Sequence, residues 1–176
     1  MKLEKVISGG QTGADIAGVR AAKKLGLATG GTMPRGFWTL KGSRPEYAKE
    51  FGMVEDPSPH YPPRTRKNVN DSDGTIRLAV DFNSRGERCT LRFIQELDKP
   101  DFMVHIGATN SFKTTAAEAP AEAAQWILDN NIKVLNVAGN AEETAAGMEV
   151  WVERYITSML EQLKLLEGKD AVPASF

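Results

Sequence analysis

A single cysteine, Cys89, leaves the chain without any intrachain disulfide, and nothing in its composition points to an oxidising compartment. Histidine is nearly as scarce. His60 and His105 form no pair with each other or with Cys89 at a metal-ligand spacing, so a zinc or iron centre has little support and no metal site is expected. No run of about 18 apolar residues occurs, which argues against a membrane-spanning helix. A charge surplus is missing too: 22 Lys and Arg face 23 Asp and Glu, leaving a net charge of −1. The long-range attraction used by general nucleic-acid binders or by proteins of anionic membranes is therefore weak. The charged start, Met1-Lys2-Leu3-Glu4-Lys5, has no apolar core of a leader peptide, and a cytoplasmic protein is expected.

What is present is ordinary for a globular chain. With 41% hydrophobic and 26% charged residues in 176, one domain over residues 1–168 with a short tail at 169–176 is expected. Lys5-Val6-Ile7-Ser8 reads as a buried strand that runs into Gly9-Gly10-Gln11-Thr12-Gly13. Ala14, Ala17, Ala21 and Leu25 then recur at helical spacing with Arg20, Lys23 and Lys24 opposite, Gly26 ends the helix, and Leu27 to Gly31 follow as a weaker strand. From Met33 to Pro63 prolines and glycines leave room only for a helix at Glu46 to Phe51. Pro63 opens a helix carrying Arg64 to Asn70, Asp71 to Gly74 form a turn, and Ile76, Leu78 and Val80 mark a strand.

Helices around Arg88 to Leu97 and Ala116 to Asn130 alternate with strands Phe102 to Ile106 and Lys133 to Ala138. The last helix carries Met148, Val152, Tyr155, Met159, Leu163 and Leu166 on one stripe until Gly168 stops it. Val150, Trp151, Ile156, Leu160 and Leu165 lie between those positions, so a second apolar face and a homo-oligomer are expected. The alternation predicts an α/β fold: a doubly wound, mainly parallel sheet with helices on both faces.

In such sheets ligands bind beyond the carboxyl ends of the strands, which directs attention to the loops Ser8–Gly13, Gly31–Gly36, Asp81–Thr90, Gly107–Ser111 and Gly139–Ala141. The first is a phosphate candidate, since Gly9, Gly10, Gln11, Thr12 and Gly13 bring backbone amides to the start of a helix that continues with Asp15. It is neither a dinucleotide fingerprint, having Ser8 at the first glycine position, nor a P-loop, having Ala14 where lysine belongs. A second candidate surface follows from Arg64, Asn68 and Asp71, which share a helix face. Asp73 could equally serve as a turn-former, whereas Asp71 is read in favour of the site. Cys89 and His105 read as packing residues, and Trp38 as a residue able to cover a flat ring but more readily explained by packing.

Val6-Ile7-Ser8-Gly9-Gly10-Gln11-Thr12-Gly13-Ala14-Asp15, taken with Thr65-Arg66-Lys67-Asn68-Val69-Asn70-Asp71-Ser72-Asp73-Gly74-Thr75, resembles the molybdenum carrier family. This is the circularly permuted YpsA-like branch of the SLOG superfamily, which also holds the lonely-guy phosphoribohydrolases and DprA. The resemblance extends through Gly30-Gly31, Pro34, Gly36 and Lys99-Pro100 to Leu135-Asn136-Val137-Ala138-Gly139. It implies a Rossmann-like sheet in which the Gly9–Gly13 loop and the Asp71-Ser72-Asp73-Gly74-Thr75 segment face a small phosphorylated ligand, a nucleotide or a pterin such as molybdenum cofactor. Thr90, Gly139 and Asn140 belong to the same candidate set.

Two departures stand out: Asn140-Ala141 replace the proline and arginine expected after Gly139, and Arg85-Gly86-Glu87-Arg88-Cys89-Thr90 replaces a glycine- and threonine-rich segment. Arg85 or Arg88 is the candidate replacement for the missing cation. A carrier that binds this ligand without turnover is the leading reading. A nucleotide N-glycosidase is the alternative, although the Pro-Gly-Gly-x-Gly-Thr-x-x-Glu segment of the phosphoribohydrolases is missing. Single-stranded DNA binding is disfavoured by the charge balance.

Overall fold

A computed structural model describes residues 3–107 and 118–170. The strands are β1 (Lys5–Ser8), β2 (Ala28–Met33), β3 (Trp38–Thr39), β4 (Gly42–Ser43), β5 (Met53–Glu55), β6 (Gly74–Ala79), β7 (Asp101–His105) and β8 (Val134–Gly139). The helices are α1 (Ala14–Lys24), α2 (Glu46–Phe51), α3 (Tyr61–Asn70), α4 (Arg85–Glu96), α5 (Pro120–Asp129) and α6 (Met148–Asp170). Six strands form one parallel sheet in the order β5-β2-β1-β8-β6-β7, and β3 and β4 make a separate antiparallel ribbon. Helices cover both faces, so the fold is an α/β, Rossmann-like doubly wound sheet.

The order explains where a ligand can enter. The chain winds outward from β1 to β2 and β5, then crosses to β6 and leaves a gap that β8 fills last. Neighbours β8 and β6 send their following helices, α6 and α4, to opposite faces, and a crevice opens at their carboxyl ends. On one face α1 packs on α6, and α6 on α5, over Val6, Ile76, Leu78, Leu135 and Val137, all fully or nearly fully buried. On the other face α3 packs on α4 above Thr75, Arg77 and Asn136.

Several boundaries differ from expectation for identifiable reasons. Helix α3 starts at Tyr61, ahead of Pro63, because Pro62 and Pro63 both sit in a first turn whose amides need no intrahelical acceptor. Helix α4 starts at Arg85 rather than Arg88, because Ser84 caps it by accepting from the Glu87 amide at 3.4 Å. The irregular stretch holds β3, β4 and β5 besides α2, so more than one regular element lies there. Gly168 does not stop α6, which runs to Asp170. No neighbour lies within 4 Å of where a Cβ would stand at Gly168, and nothing there forces the chain out of the helix. Most of the expected Gly107–Ser111 loop, and the start of the helix expected from Ala116, lie outside the described residues.

Candidate functional site

At the carboxyl end of β1 the backbone turns sharply through Gly10 (φ 66°) and Gly13 (φ 83°), conformations that favour glycine. The missing side chains face the protein. A Cβ on Gly10 would lie 2.7 Å from the Met33 sulfur and 2.8 Å from that of Met53, and one on Gly13 would lie 2.3 Å from the Asn140 carbonyl. Gly9 differs, because a Cβ there would fall 1.4 Å from a terminal nitrogen of Arg64. Its bareness makes room for the Arg64 guanidinium, which comes down from the first turns of α3 and pairs with the Asp15 carboxylate at 3.3 Å.

Both partners are withdrawn from water, with side-chain exposures of 12% for Arg64 and 7% for Asp15. Burial pushes the Asp15 carboxyl above the ordinary carboxylate range, opposed by the Arg64 charge and by the Gln11 and Gly9 amides. The Arg64 Nε is buried and has no acceptor. A guanidinium brought inside at this cost, with a donor left over, is suited to an acceptor that the protein itself does not supply.

Arg64 and Asp15 line a cavity of about 640 Å³. Its floor is the end of β8, Asn136 to Asn140; one wall is α3 with Thr65 and Asn68; the other is the start of α4, with Ser84, Arg85, Gly86, Cys89 and Thr90. The rim is formed by Pro59, His60, Tyr61 and Leu40. Gln11 ties the rim together, its Oε1 accepting from the Leu40 and Thr12 amides at 2.9 Å and its Nε2 donating to the Tyr61 hydroxyl at 3.1 Å. The volume falls within the range of roughly 300–1,000 Å³ usual for sites that hold small organic ligands.

Of the residues singled out from sequence, Gly9, Gln11, Asp15, Arg64, Asn68, Thr90, Gly139 and Asn140 meet at this cavity. Some do so as struts. Asn68 clamps α3 to β2 through both the amide and the carbonyl of Thr32, at 2.8 and 2.9 Å. The Asn140 Oδ1 accepts from the Val80 and Asp81 amides, and its Nδ2 donates to the Asp81 carbonyl and Ser84 hydroxyl. Thr90 returns its hydroxyl to the Gly86 carbonyl, and a Cβ on Gly139 would collide with the Leu78 carbonyl at 2.0 Å. Gly10, Thr12 and Gly13 shape the loop without lining the cavity, and the Thr12 hydroxyl donates to Glu143. Arg85 stands on the cavity wall whereas Arg88 does not.

The Asp71–Thr75 segment lies elsewhere. Asp71 pairs with Lys67 at the surface. Partial burial would favour its neutral form, but bonds from Lys67 and Asn70 outweigh this and hold the carboxyl below its ordinary value. Asp73 accepts from the Lys133 and Val134 amides at 2.9 and 2.8 Å and so anchors the start of β8. Gly74 packs beside Ile132 and Trp126, and the Thr75 hydroxyl accepts from Asn136. Asp73, Gly74 and Thr75 stand at the amino ends of β6 and β8, whereas the cavity opens towards the carboxyl ends of the strands. His105 bonds Glu118 instead of sitting in the core, with 59% of its side chain exposed, and Trp38 is exposed on the ribbon.

Sequence reasoning passed over Arg77. It is 2% exposed in the middle of β6, binds Asp101 at 2.6 Å and Glu87 at 3.5 Å, and lies over the Phe82 ring. Burial pushes the Glu87 carboxyl up to about 7, against the opposing charge of Arg77. The signal was available as an arginine inside an otherwise apolar strand, Ile76 to Ala79. Among the described residues no group of three His, Cys, Asp or Glu side chains could hold a metal ion, and no helix is long and apolar enough to cross a membrane.

A search of curated proteins finds no match. Among solved structures, the chain is similar to a protein from Syntrophus aciditrophicus SB described as a putative molybdenum carrier protein. The two share 30% identity over 92% of this chain and 94% of that one, with a TM-score of 0.73. The profile of the circularly permuted YpsA SLOG family matches residues 6–160, most of the chain and all of the cavity, and the chain belongs to that family.

Proposed function

We propose that the protein is a molybdenum carrier that binds molybdenum cofactor, or a related phosphorylated nucleotide or pterin, in the cavity over its glycine-rich loop. The observation that carries this reading is the buried Asp15–Arg64 pair opening into a cavity of about 640 Å³, with a guanidinium donor left unused. Guanidinium, hydroxyl and amide groups suit the oxygens and ring nitrogens of an organic ligand better than a naked cation. Molybdenum would therefore travel as part of the cofactor. Likeness to the Syntrophus protein supports the same reading.

The deciding experiment is mass spectrometry of small molecules released from native protein, with elemental analysis for molybdenum in the same sample. A pterin or nucleotide at near-stoichiometric yield is expected, and repeated recovery of ligand-free protein from molybdenum-replete cells overturns the carrier reading.

The carboxyl of Asp15, held above the ordinary carboxylate range by burial and set beside an arginine, supports a second reading as a nucleotide N-glycosidase, since a carboxyl so placed is suited to general acid–base work. Release of free base from nucleoside monophosphates, lost in Asp15→Asn, would establish it; intact nucleotide after prolonged incubation excludes it. The exposed Val150 and Leu165 on α6 support a homo-oligomer, and a monomer by sedimentation at every concentration would remove that proposal.

A further inference from the structure

We propose that Asp15 and Arg64 together select one kind of ring edge, the row of exocyclic amine, ring N–H and ring carbonyl that guanine and pterins have in common. The carboxylate takes the two N–H donors and the guanidinium takes the carbonyl. This rests on the cavity being the ligand site, and names the chemistry that the site selects.

Most polar side chains around the cavity are already committed. The Thr65 hydroxyl donates to the Tyr61 carbonyl at 3.0 Å and that of Thr90 to the Gly86 carbonyl at 3.1 Å. Asn68 is spent on Thr32, Asn140 on Val80, Asp81 and Ser84, and Gln11 on the rim. Asp15 is different. Its side chain is 7% exposed, and the bonds it accepts, from the Gln11 amide at 3.4 Å and from Arg64 Nη1 at 3.3 Å, both fall on Oδ2. Charge-assisted bonds to a carboxylate usually close to about 2.7–2.9 Å. A carboxylate withdrawn from water for two long bonds on one oxygen keeps acceptor capacity that the protein does not fill, and Asp15 lines the cavity. The raised carboxyl reports the same shortfall, since burial outweighs what these bonds return.

The first turn of α1 fixes Asp15 in place, and Arg64 stands beside it with Nη1 engaged and Nε without an acceptor. This end of the cavity therefore offers acceptors next to a donor. A ring that presents an amine and an N–H followed by a carbonyl meets that row bond for bond. Adenine instead sets its amine beside a bare ring nitrogen, whose lone pair would face a carboxylate oxygen. Hypoxanthine keeps the N–H and the carbonyl but has no amine. Either ring leaves a buried carboxylate short of donors, the condition under which a site rejects an analogue most strongly. Leu40, Pro59, Tyr61 and Pro62 surround the entrance with apolar and aromatic surface suited to the faces of a flat ring.

The test is calorimetric titration of the full chain with guanosine, inosine and adenosine monophosphates, which carry the same sugar and phosphate, and with pterin and lumazine, in which an oxygen replaces the amine. Guanosine monophosphate should bind at least ~10-fold tighter than the other two nucleotides, and pterin at least ~10-fold tighter than lumazine, the worth of one hydrogen bond to a charged group. Whichever of the two preferred compounds binds tighter identifies the source of the edge, and either supports the proposal. Asp15→Asn, which keeps the size of the side chain, should bring both ratios below ~3-fold. Ratios that persist in this variant overturn the role of Asp15, and if the variant fails to fold the ratios of the unmodified protein decide. Binding without these preferences overturns the edge selection and leaves the cavity as a ligand site. If none of the compounds binds, the edge selection fails, and the cavity reading fails with it only where native protein also proves free of ligand.

Discussion

On the side of the sheet covered by α1, α5 and α6, Ile76, Leu78, Leu135 and Val137 meet Ala17, Ile127, Val152 and Met159, and every one of them is fully buried. On the side covered by α3 and α4 the same strands present Thr75, Arg77 and Asn136, of which Arg77 bonds Glu87 of α4 and Asn136 bonds Thr75. The first face asks of its residues only volume and shape. The second asks for partners, because each buried polar atom costs free energy until it is bonded. Alternation along β6 and β8 divides the labour: odd-numbered positions of β6 carry the polar side, even-numbered ones the apolar side. The cavity lies on the face where close packing gives way to bonding, and stability rests mainly on the other.

The largest test of this contrast is Arg77→Ala. Its removal leaves the buried Glu87 of α4 without its cation and frees Asp101, and unfolding in urea should show a loss of about 3–5 kcal/mol. A loss below ~1 kcal/mol would mean that the polar face is held by something other than these ion pairs.

Next comes a pH effect. The folded protein holds Glu87 at about 7, above the ordinary 4.5, so between these values the native state binds the extra proton. Stability is therefore highest below the ordinary value and falls as pH rises through about 7, by up to ~3 kcal/mol. Glu87→Gln should flatten most of this decline, leaving a residue from Asp15, which is raised in the same direction. An unchanged slope in thermal melts from pH 5 to 8 would locate the titrating group elsewhere.

A smaller change on the apolar face completes the comparison. Ile76→Val should cost roughly 0.5–1.5 kcal/mol with no dependence on pH, because only packing is lost. Smallest of all is Asp71→Ala, which breaks an exposed pair with Lys67 and should cost about 0.3–0.5 kcal/mol without altering ligand affinity. A marked loss of affinity would place Asp71 in a ligand contact that this geometry does not contain.

Much of the architecture was legible because long periodic segments declare themselves. The spacing in α1 and the stripe of α6 mark their buried sides, and α2 falls at Glu46–Phe51 as its flanking proline and glycine suggest. Strands of two or three residues, β3, β4 and β5, show no period to read. At the site, Asp15 and Arg64 were recognised as candidates, but their pairing needs the Gly9 backbone between them, which spacing along the chain does not reveal.

Asp71 illustrates a different obstacle. Helix α3 returns the chain from the carboxyl edge of the sheet to its amino edge, and ten helical residues rise about 15 Å on the way. Residues at its two ends share a face yet stand at opposite ends of the sheet. The logic of a parallel crossover by itself separates Arg64 from Asp71.

Asn140 bears on how the molecule ages. Its amide is bonded so that oxygen faces two backbone N–H groups while nitrogen faces a carbonyl and a hydroxyl, which fixes the orientation and distinguishes the two atoms. Hydrolysis of that amide to a carboxylate, a change of one heavy atom, would set an oxygen against the Asp81 carbonyl and loosen the joint between β6, β8 and the start of α4. Asparagine is among the thermolabile residues, so the durability of the cavity during storage or heating depends on how well this buried position keeps water from a single side-chain amide.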